Sequence, residues 1–261
     1  MDIPIFQVDA FSAVQFKGNP AAVCPLESWL PDRTMQAIAA ENNLAETAFF
    51  VPSGERFHLR WFTPAVEIEL CGHATLAAAH VLFTHLGFQG SRIAFDSASG
   101  ELVVTREDGL LWLNFPSRPA GHCDPHPRLV DGLGTQPLEV LSAQYYLVVY
   151  RGEEEIRTLQ PNMDVLAHLD KGGIIVTAPG SDVDFVSRFF APAMGIPEDP
   201  VTGSAHCSLT PYWARRLGRK AMRARQISAR TGELWVEDLL DRVRIGGHAA
   251  DYLRGVITVR I

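Results

Sequence analysis

Two stretches of sixteen residues, GHATLAAAHVLFTHLG (72–87) and GSAHCSLTPYWARRLG (203–218), decide the fold of this chain. Both begin with glycine and end with Leu-Gly, and they align without a gap. Each is apolar nearly all round in its first turns, which is typical of a helix buried at the centre of a domain. Because glycine often follows the last turn of a helix, the pattern predicts two equivalent buried helices that end at Gly87 and Gly218.

The similarity continues on both sides of these helices. Upstream, FHLRWFTPA (57–65) aligns with FVSRFFAPA (185–193), and downstream, SASGELVV (97–104) aligns with SARTGELWV (228–236). Three matches in the same order indicate a duplication, and the period is too long for a solenoid repeat.

Around the helices, the first half has the composition and turn signals of a strand-rich domain. The predicted strands are FQVDAF (6–11), TAFFV (47–51), FHLRWFT (57–63), RIAFDSA (92–98), ELVVTRE (101–107) and LLWLNFP (110–116). Pro31 followed by an amphipathic run predicts an outer helix over 32–42.

The domain organisation follows from the repeat and from one proline-rich segment. Residues 117–129 hold three prolines and no periodicity, which predicts a linker. We therefore predict an α+β fold of two similar lobes that face each other across a cleft, residues 1–118 and residues 119–251. The last strand, within 252–261, is expected to pair with one of the two lobes, the N-terminal one in our assignment.

Composition bounds the partners of this chain. Of its 261 residues, 30 are acidic and 23 are basic, which gives a net charge of −7 and disfavours nucleic acid as a partner.

The N-terminal residues MDIPIFQVDAF lack a basic start and an apolar core, so no signal peptide is expected. No stretch is apolar and long enough for a membrane span, and we predict a cytoplasmic protein with free cysteines.

The starts of the two helices are candidate binding sites. Helix N-termini present unpaired N–H groups and the positive end of the helix dipole, which favour a carboxylate or a phosphate. The sequence there is polar, with Cys-Gly-His at 71–73 and Asp-Pro-Val-Thr-Gly-Ser at 199–204. Simple capping by Thr202 or Ser204 would explain the polar sequence at the second helix start, but not the Cys-Gly-His at the first.

One position distinguishes the two halves. An alignment of Pro52 with Pro179 places Glu46 opposite Gly173. Glu46 lies between the outer helix and an apolar strand, where a partly desolvated carboxylate could act as a general base. A solvent-exposed turn glutamate fits the same pattern, and these residues alone favour that interpretation.

Four stretches of the chain resemble the PhzF-like family, which is named for the phenazine-biosynthesis isomerase. They are FQVDAFSAVQFKGNPAAV (6–23), ENNLAETAFF (41–50), WFTPAVEIELCGHATLAA (61–78) and RFFAPAMGIPEDPVTGSAHCSLTPYWARRLG (188–218). The resemblance implies a diaminopimelate-epimerase-like fold, in which two pseudo-twofold lobes each wrap a curved, barrel-like mixed or antiparallel sheet around a central helix. It also implies an active site between the lobes, which agrees with the repeat.

The resemblance also implies roles for particular residues. Glu46 takes the place of the family's catalytic glutamate, and His73 and Asp199 match positions that contact the substrate and assist proton transfer. The implied substrate-binding residues are Gly72, Thr202, Gly203 and Ser204, of which the two glycines supply backbone N–H groups.

The implied reaction is a cofactor-independent isomerisation of a small unsaturated or carbonyl-containing carboxylic acid. A C–H proton is acidic enough to be removed only where its carbanion is delocalised, which gives this substrate class. No cofactor is expected, and a homodimer is implied.

Two other functions remain open. Epimerases of this fold use one cysteine from each lobe, but here Cys71 stands opposite Thr202, so a two-thiol racemase is disfavoured. A racemase or epimerase that uses Cys71 as its single base is the first alternative, and a non-catalytic protein that binds small acids is the second. A buried core thiol also explains Cys71, and His206 could either line the site or pack in the core.

A metal site is not predicted. His122, Cys123, Asp124 and His126 have metal-like spacing, but no second group of ligands stands near them in the sequence. Nucleotide-binding glycine motifs and a serine-nucleophile motif are absent as well.

Overall fold

The computed structural model describes residues 1–260 of the chain. They form two compact units, which we call unit 1 and unit 2. Unit 1 comprises Met1–Asn114 and the C-terminal residues from Gly246 onward, and unit 2 comprises Phe115–Ile245. Strands and helices are numbered below along the whole chain.

Unit 1 is built on one mixed sheet and two helices. Its strands are β1 (Asp2–Ala10), β2 (Asn19–Pro25), β3 (Glu46–Ser53), β4 (Arg56–Phe62), β5 (Glu67–Ile68), β6 (Arg92–Ser97), β7 (Gly100–Glu107), β8 (Leu110–Pro116) and β18 (Ala249–Thr258), and its helices are α1 (Asp32–Asn42) and α2 (Gly72–Thr84). Strand β1 pairs antiparallel with β18 and β2, and β2 runs parallel to β3. Strand β4 is antiparallel to β3 and β5 and parallel to β6, and β6, β7 and β8 follow antiparallel.

Unit 2 repeats much of this order. Its strands are β9 (Gly121–His122), β10 (Glu139–Ser142), β11 (Tyr146–Val149), β12 (Ile174–Pro179), β13 (Phe185–Ala191), β14 (Ile196–Asp199), β15 (Ala221–Gln226), β16 (Gly232–Asp238) and β17 (Arg242–Gly247), and its helices are α3 (Leu129–Leu133), α4 (Glu153–Arg157), α5 (Met163–Leu166), a 3-10 turn (Pro192–Met194) and α6 (Gly203–Leu217). Strand β11 runs parallel to β12, and β13 is antiparallel to β12 and β14 but parallel to β15.

The shared strand order confirms the α+β class and the predicted duplication. In each unit a parallel pair is followed by two antiparallel strands, a helix and a further strand parallel to the third. All six strands predicted for the first half are present, whereas β2 and the two-residue strand β5 were not predicted. The predicted outer helix coincides with α1, which ends where Asn43 adopts a left-handed conformation.

Helix α2 lies in the core of unit 1. Nearly all of its side chains are buried, and it contacts β1, β2, β3 and β7. The small side chains of Ala77, Ala78 and Ala79 allow the helix to approach the strands closely. The helix ends at Thr84, three residues before the predicted end, because the chain turns there and reverses at Gly87, whose φ is +68°.

Helix α6 ends as predicted, with Gly218 in the left-handed conformation and its N–H bonded to the carbonyl of Ala214. Pro211 lies inside this helix and cannot donate to the carbonyl of Cys207. That carbonyl instead accepts a hydrogen bond from the backbone N–H of Arg118, at 2.9 Å. The segment predicted as a linker therefore attaches to α6, and its residues 121–122 form β9.

Candidate functional site

Glu46 and His73 form the centre of a buried polar cluster in unit 1. Glu46 is the first residue of β3, paired with Ala21 of β2, and His73 is the second residue of α2. Their side chains meet with 3.0 Å between Glu46 Oε2 and His73 Nε2. The two residues are 8% and 7% exposed, so Glu46 is not the solvent-exposed turn residue that its local sequence favoured.

Two further residues contact the other nitrogen of His73. Cys71 Sγ lies 3.5 Å and Asn19 Nδ2 lies 3.3 Å from His73 Nδ1. Asn19 Nδ2 and Cys71 Sγ thus both lie within hydrogen-bonding distance of Nδ1, while Nε2 faces Glu46. Asn19, the first residue of β2, was not predicted as a site residue, although it lies within one of the stretches that resemble the family.

The buried charges of this cluster change its protonation. Burial lowers the pKa of His73, but its electrostatic interactions and hydrogen bonds with Cys71 and with Glu46 raise it, and the net pKa lies well above its usual value. Burial, and secondarily the charge of Glu46, raises the pKa of the Cys71 thiol. At neutral pH, Cys71 is therefore a protonated thiol, and His73 Nε2 holds a proton next to the carboxylate of Glu46.

The central atoms of the cluster have unused hydrogen-bonding capacity. Glu46 Oε2 and His73 Nε2 are both buried, and among the described residues neither makes a hydrogen bond of good geometry, despite their short separation. Buried polar atoms in this condition are costly unless a ligand or water completes them. The arrangement places a proton acceptor beside a proton donor.

In unit 2, the predicted residues gather at the start of α6. Asp199 ends β14, and Thr202 immediately precedes the helix. Thr202 Oγ1 donates to Asp199 Oδ2 at 2.5 Å and makes no capping bond to the helix backbone, so the capping explanation fails for this residue. Ser204 Oγ lies 3.5 Å from the hydroxyl oxygen of Tyr145.

Gln226, which is fully buried, holds the loop before α6 in place. Its Oε1 accepts from the backbone N–H of Thr202, and its Nε2 donates to the carbonyl of Asp199, both at 2.8 Å. Ser228 Oγ donates to the carbonyl of Pro200 at 2.7 Å. No motif in the sequence signals these two residues, because their contribution depends on how β15 lies beside the loop.

His206, one turn into α6, packs in the core of unit 2. Its side chain is fully buried, and its Nδ1–H donates to the carbonyl of Thr202 at 2.9 Å. Burial lowers its pKa to about 4, so the imidazole is neutral at physiological pH. His206 is therefore buried and neutral within unit 2, and its Nε2 makes no hydrogen bond among the described residues.

Within the described residues, two groups of three side chains have ligand atoms close enough together to hold a metal ion. One consists of Glu46, Cys71 and His73, and the other of His80, His85 and Asp251. The linker residues His122, Cys123, Asp124 and His126 do not form such a group in the part of the chain that the structure describes. No helix among the described residues has the length and apolarity to cross a membrane.

Comparisons with known proteins identify the family. The family model described as "Phenazine biosynthesis-like protein" matches residues 8–255. An uncharacterized isomerase of Pseudomonas aeruginosa is 54% identical over 250 residues, which cover 95% of this chain and 96% of that protein.

Solved structures agree with this relationship. A crystal structure of a PhzF-family phenazine biosynthesis protein from Enterococcus faecalis superposes with a TM-score of 0.97 and 45% identity, over 99% of this chain and all of that one. A hydroxyproline epimerase from Agrobacterium vitis shares the fold at 9% identity, with a TM-score of 0.62 over 98% of this chain and 92% of its own. With its sequence matched almost from end to end, the chain belongs to the PhzF family of phenazine biosynthesis-like proteins.

Proposed function

We propose that this protein is an isomerase that moves a proton between two carbon atoms of a small carboxylic acid, with Glu46 as the base. The observation that carries the proposal is the buried pair of Glu46 Oε2 and His73 Nε2, 3.0 Å apart and without well-formed hydrogen bonds in the described chain. The P. aeruginosa relative, which is named an isomerase, supports the reaction class.

The proposed chemistry needs only these two side chains and a suitable substrate. The Glu46 carboxylate takes a proton from carbon, so that the C–H bond breaks and its electron pair spreads into an adjacent double bond or carbonyl group. A proton is then returned to a different carbon from Glu46 or from His73 Nε2. Because the overall change is a proton shift, the reaction requires no cofactor, as the sequence predicts.

The helix starts support a carboxylate as the substrate's anchor. The residues before α2 and α6, Cys71 and Thr202, make no side-chain capping bond. In this proposal, a substrate carboxylate accepts hydrogen bonds from the first N–H groups of the helices, which begin at Gly72 and Gly203. Within this proposal Asp199, Thr202 and Ser204 keep the substrate-binding and proton-transfer roles that the resemblance implies.

The thiol alternative has weaker support. A base must be deprotonated to act, and burial together with the charge of Glu46 raises the pKa of Cys71. The second alternative, a protein that binds acids without acting on them, remains a distinct outcome of the experiment below.

The decisive experiment is proton NMR of a panel of unsaturated and carbonyl-containing acids in deuterated water. We expect the wild-type protein to exchange one specific C–H signal, and Glu46→Gln, which keeps the shape and removes the base, to lose that exchange. Glu41→Gln is the matched control, because Glu41 is an exposed residue of α1. Undiminished exchange by Glu46→Gln would refute the proposed base, and binding without any exchange would support the non-catalytic alternative.

The predictions of a homodimer and of a cytoplasmic location accompany this proposal. Light scattering of the purified protein tests the first, since a dimer would have twice the chain mass of 28.7 kDa. Fractionation of the native cells tests the second.

A further inference from the structure

A second cluster in unit 1 contains none of the residues assigned to proton transfer. His80 lies in the last turns of α2, His85 directly follows that helix, and Asp251 lies on β18. Both imidazoles point at one carboxylate oxygen, with His80 Nε2 at 3.0 Å and His85 Nε2 at 2.9 Å from Asp251 Oδ1. The three ligand atoms all lie within 4.8 Å of one another.

These separations are close to those between ligands of a single metal ion. Two atoms that are each about 2.1 Å from a zinc ion, at angles between about 90° and 110°, are separated by roughly 3.0 to 3.4 Å. The two nitrogen–oxygen distances, 3.0 and 2.9 Å, lie at and just below the lower end of this range. An ion that entered between the three atoms would replace these two contacts with metal–ligand bonds.

The backbone around the cluster sets the position of Asp251. Along the pairing of β1 with β18, Gln7 faces Leu253 and the next residue, Val8, faces Asp251. Tyr252 is consequently an extra residue, which makes this point a β-bulge. Bulges redirect the neighbouring side chains.

Packing and burial also restrict the two imidazole rings. The ring of His85 stacks on Phe6 of β1, with 5.0 Å between ring centroids and 21° between planes. The side chains of His80 and His85 are 15% and 17% exposed, whereas that of Asp251 is 46% exposed. The site is thus largely buried on the side of the two histidines and exposed to solvent on the side of Asp251, where water could complete the coordination.

We propose that His80, His85 and Asp251 form a binding site for a divalent transition-metal ion, with zinc as the ion they suit best. Two imidazole nitrogens and one carboxylate oxygen are a ligand set used by zinc, with water in the remaining position. The sequence did not suggest it, because the histidines are five residues apart and Asp251 follows 166 residues later.

The test is titration of the intact, chelator-treated protein with Zn²⁺ in a calorimeter and with Co²⁺ as a spectroscopic probe. We expect one ion to bind per chain through this site. Each of His80→Asn, His85→Asn and Asp251→Asn should weaken Zn²⁺ binding about a hundredfold or more. Loss of a residue that only hydrogen-bonds to a metal ligand already lowers metal affinity about 10- to 100-fold, and loss of a ligand should cost at least as much. His168→Asn, which changes an exposed histidine of unit 2, is the control and should bind as the wild type does.

The cluster of Glu46, Cys71 and His73 is the rival site, and the same experiment separates the two. Binding there would give Co²⁺ a thiolate charge-transfer band that Cys71→Ala abolishes, and that result would overturn the proposal. So would the absence of stoichiometric binding, or binding unchanged by all three substitutions. If one substitution prevents folding, circular dichroism will show it, and the remaining two variants decide the question.

Discussion

The starts of α2 and α6 are equivalent positions of a duplicated fold, but they contain different chemistry. Each helix begins at a glycine and carries a buried histidine in its first turn or two, His73 in unit 1 and His206 in unit 2. His73 contacts a carboxylate, and its pKa is raised. His206 contacts only a backbone carbonyl among its hydrogen-bond partners, and its pKa is lowered by burial. The neighbouring side chains of Cys71 and Glu46, and not the helix, decide which histidine can hold a charge.

The carboxylate is missing from unit 2 for a steric reason. Gly173 stands at the position that corresponds to Glu46, immediately before β12. A Cβ atom there would lie 2.5 Å from the ring of Phe189 and 2.7 Å from the ring of Tyr145. The space that a side chain occupies in unit 1 is filled by aromatic rings in unit 2. The two units thus share the arrangement of strands and helices, while the carboxylate–imidazole contact is present in unit 1 only.

The largest expected effect comes from removing both members of that pair. Glu46→Gln and His73→Gln should each lower the rate of substrate proton exchange by about a thousandfold, within the range for general acid–base groups. If the two residues act as a unit, the double variant should lose little more than the worse single variant. Exchange rates followed by NMR would reveal this, and losses that multiply would show that the two side chains act independently.

The next effect concerns the pH dependence of folding through His206. Its pKa is about 4 in the folded protein and about 6.5 when unfolded, so the unfolded state binds more protons between these values. Above pH 6.5, neutral His206 makes its full contribution to the free energy of unfolding. This contribution falls by about 3 kcal/mol as the pH drops towards 4.

Urea unfolding at pH 7 and pH 4.5 measures that change. His206→Asn retains an N–H donor but cannot titrate, and its free energy of unfolding should fall less on acidification than that of the wild type. An equal fall in both proteins would assign the acid sensitivity to other groups.

A smaller effect is expected from filling the glycine position of unit 2. Gly173→Ala adds a methyl group against Phe189 and Tyr145 and should lower the free energy of unfolding by about 1 to 3 kcal/mol. Gly121→Ala is the control, since a Cβ at Gly121 meets no atom within 4 Å. Equal stabilities of the two variants would mean that the rings move aside freely, and the steric reason for the missing carboxylate would be wrong.

The smallest effect is predicted for replacement of the Cys71 thiol. Cys71→Ala should lower the exchange rate by less than about tenfold, because a protonated thiol is a poor base and the proposed base is Glu46. Deuterium incorporation at saturating substrate measures it. A loss as large as that of Glu46→Gln would instead favour the single-thiol racemase.

Much of the fold could be predicted because its signals are local. The apolar helices, their terminal glycines and the alternating strands follow from the spacing of side chains along the chain. Strand β2 was missed because Asn-Pro at 19–20 is typical of a turn. The end of α2 was placed three residues too far because Gly87 closes the turn after the helix and not the helix itself.

The sequence by itself determined the duplication, the α+β class, the family and the residue types at the two helix starts, because each depends on the order of residues along the chain. Only the tertiary structure decided that Glu46 is buried against His73, that His206 is buried with a lowered pKa, and that Asn19 and Gln226 contact the two sets of residues. It alone brought His80 and His85 to Asp251. Burial and charge interactions depend on distances in space, and strand pairing and helix packing set those distances between residues that are remote in sequence.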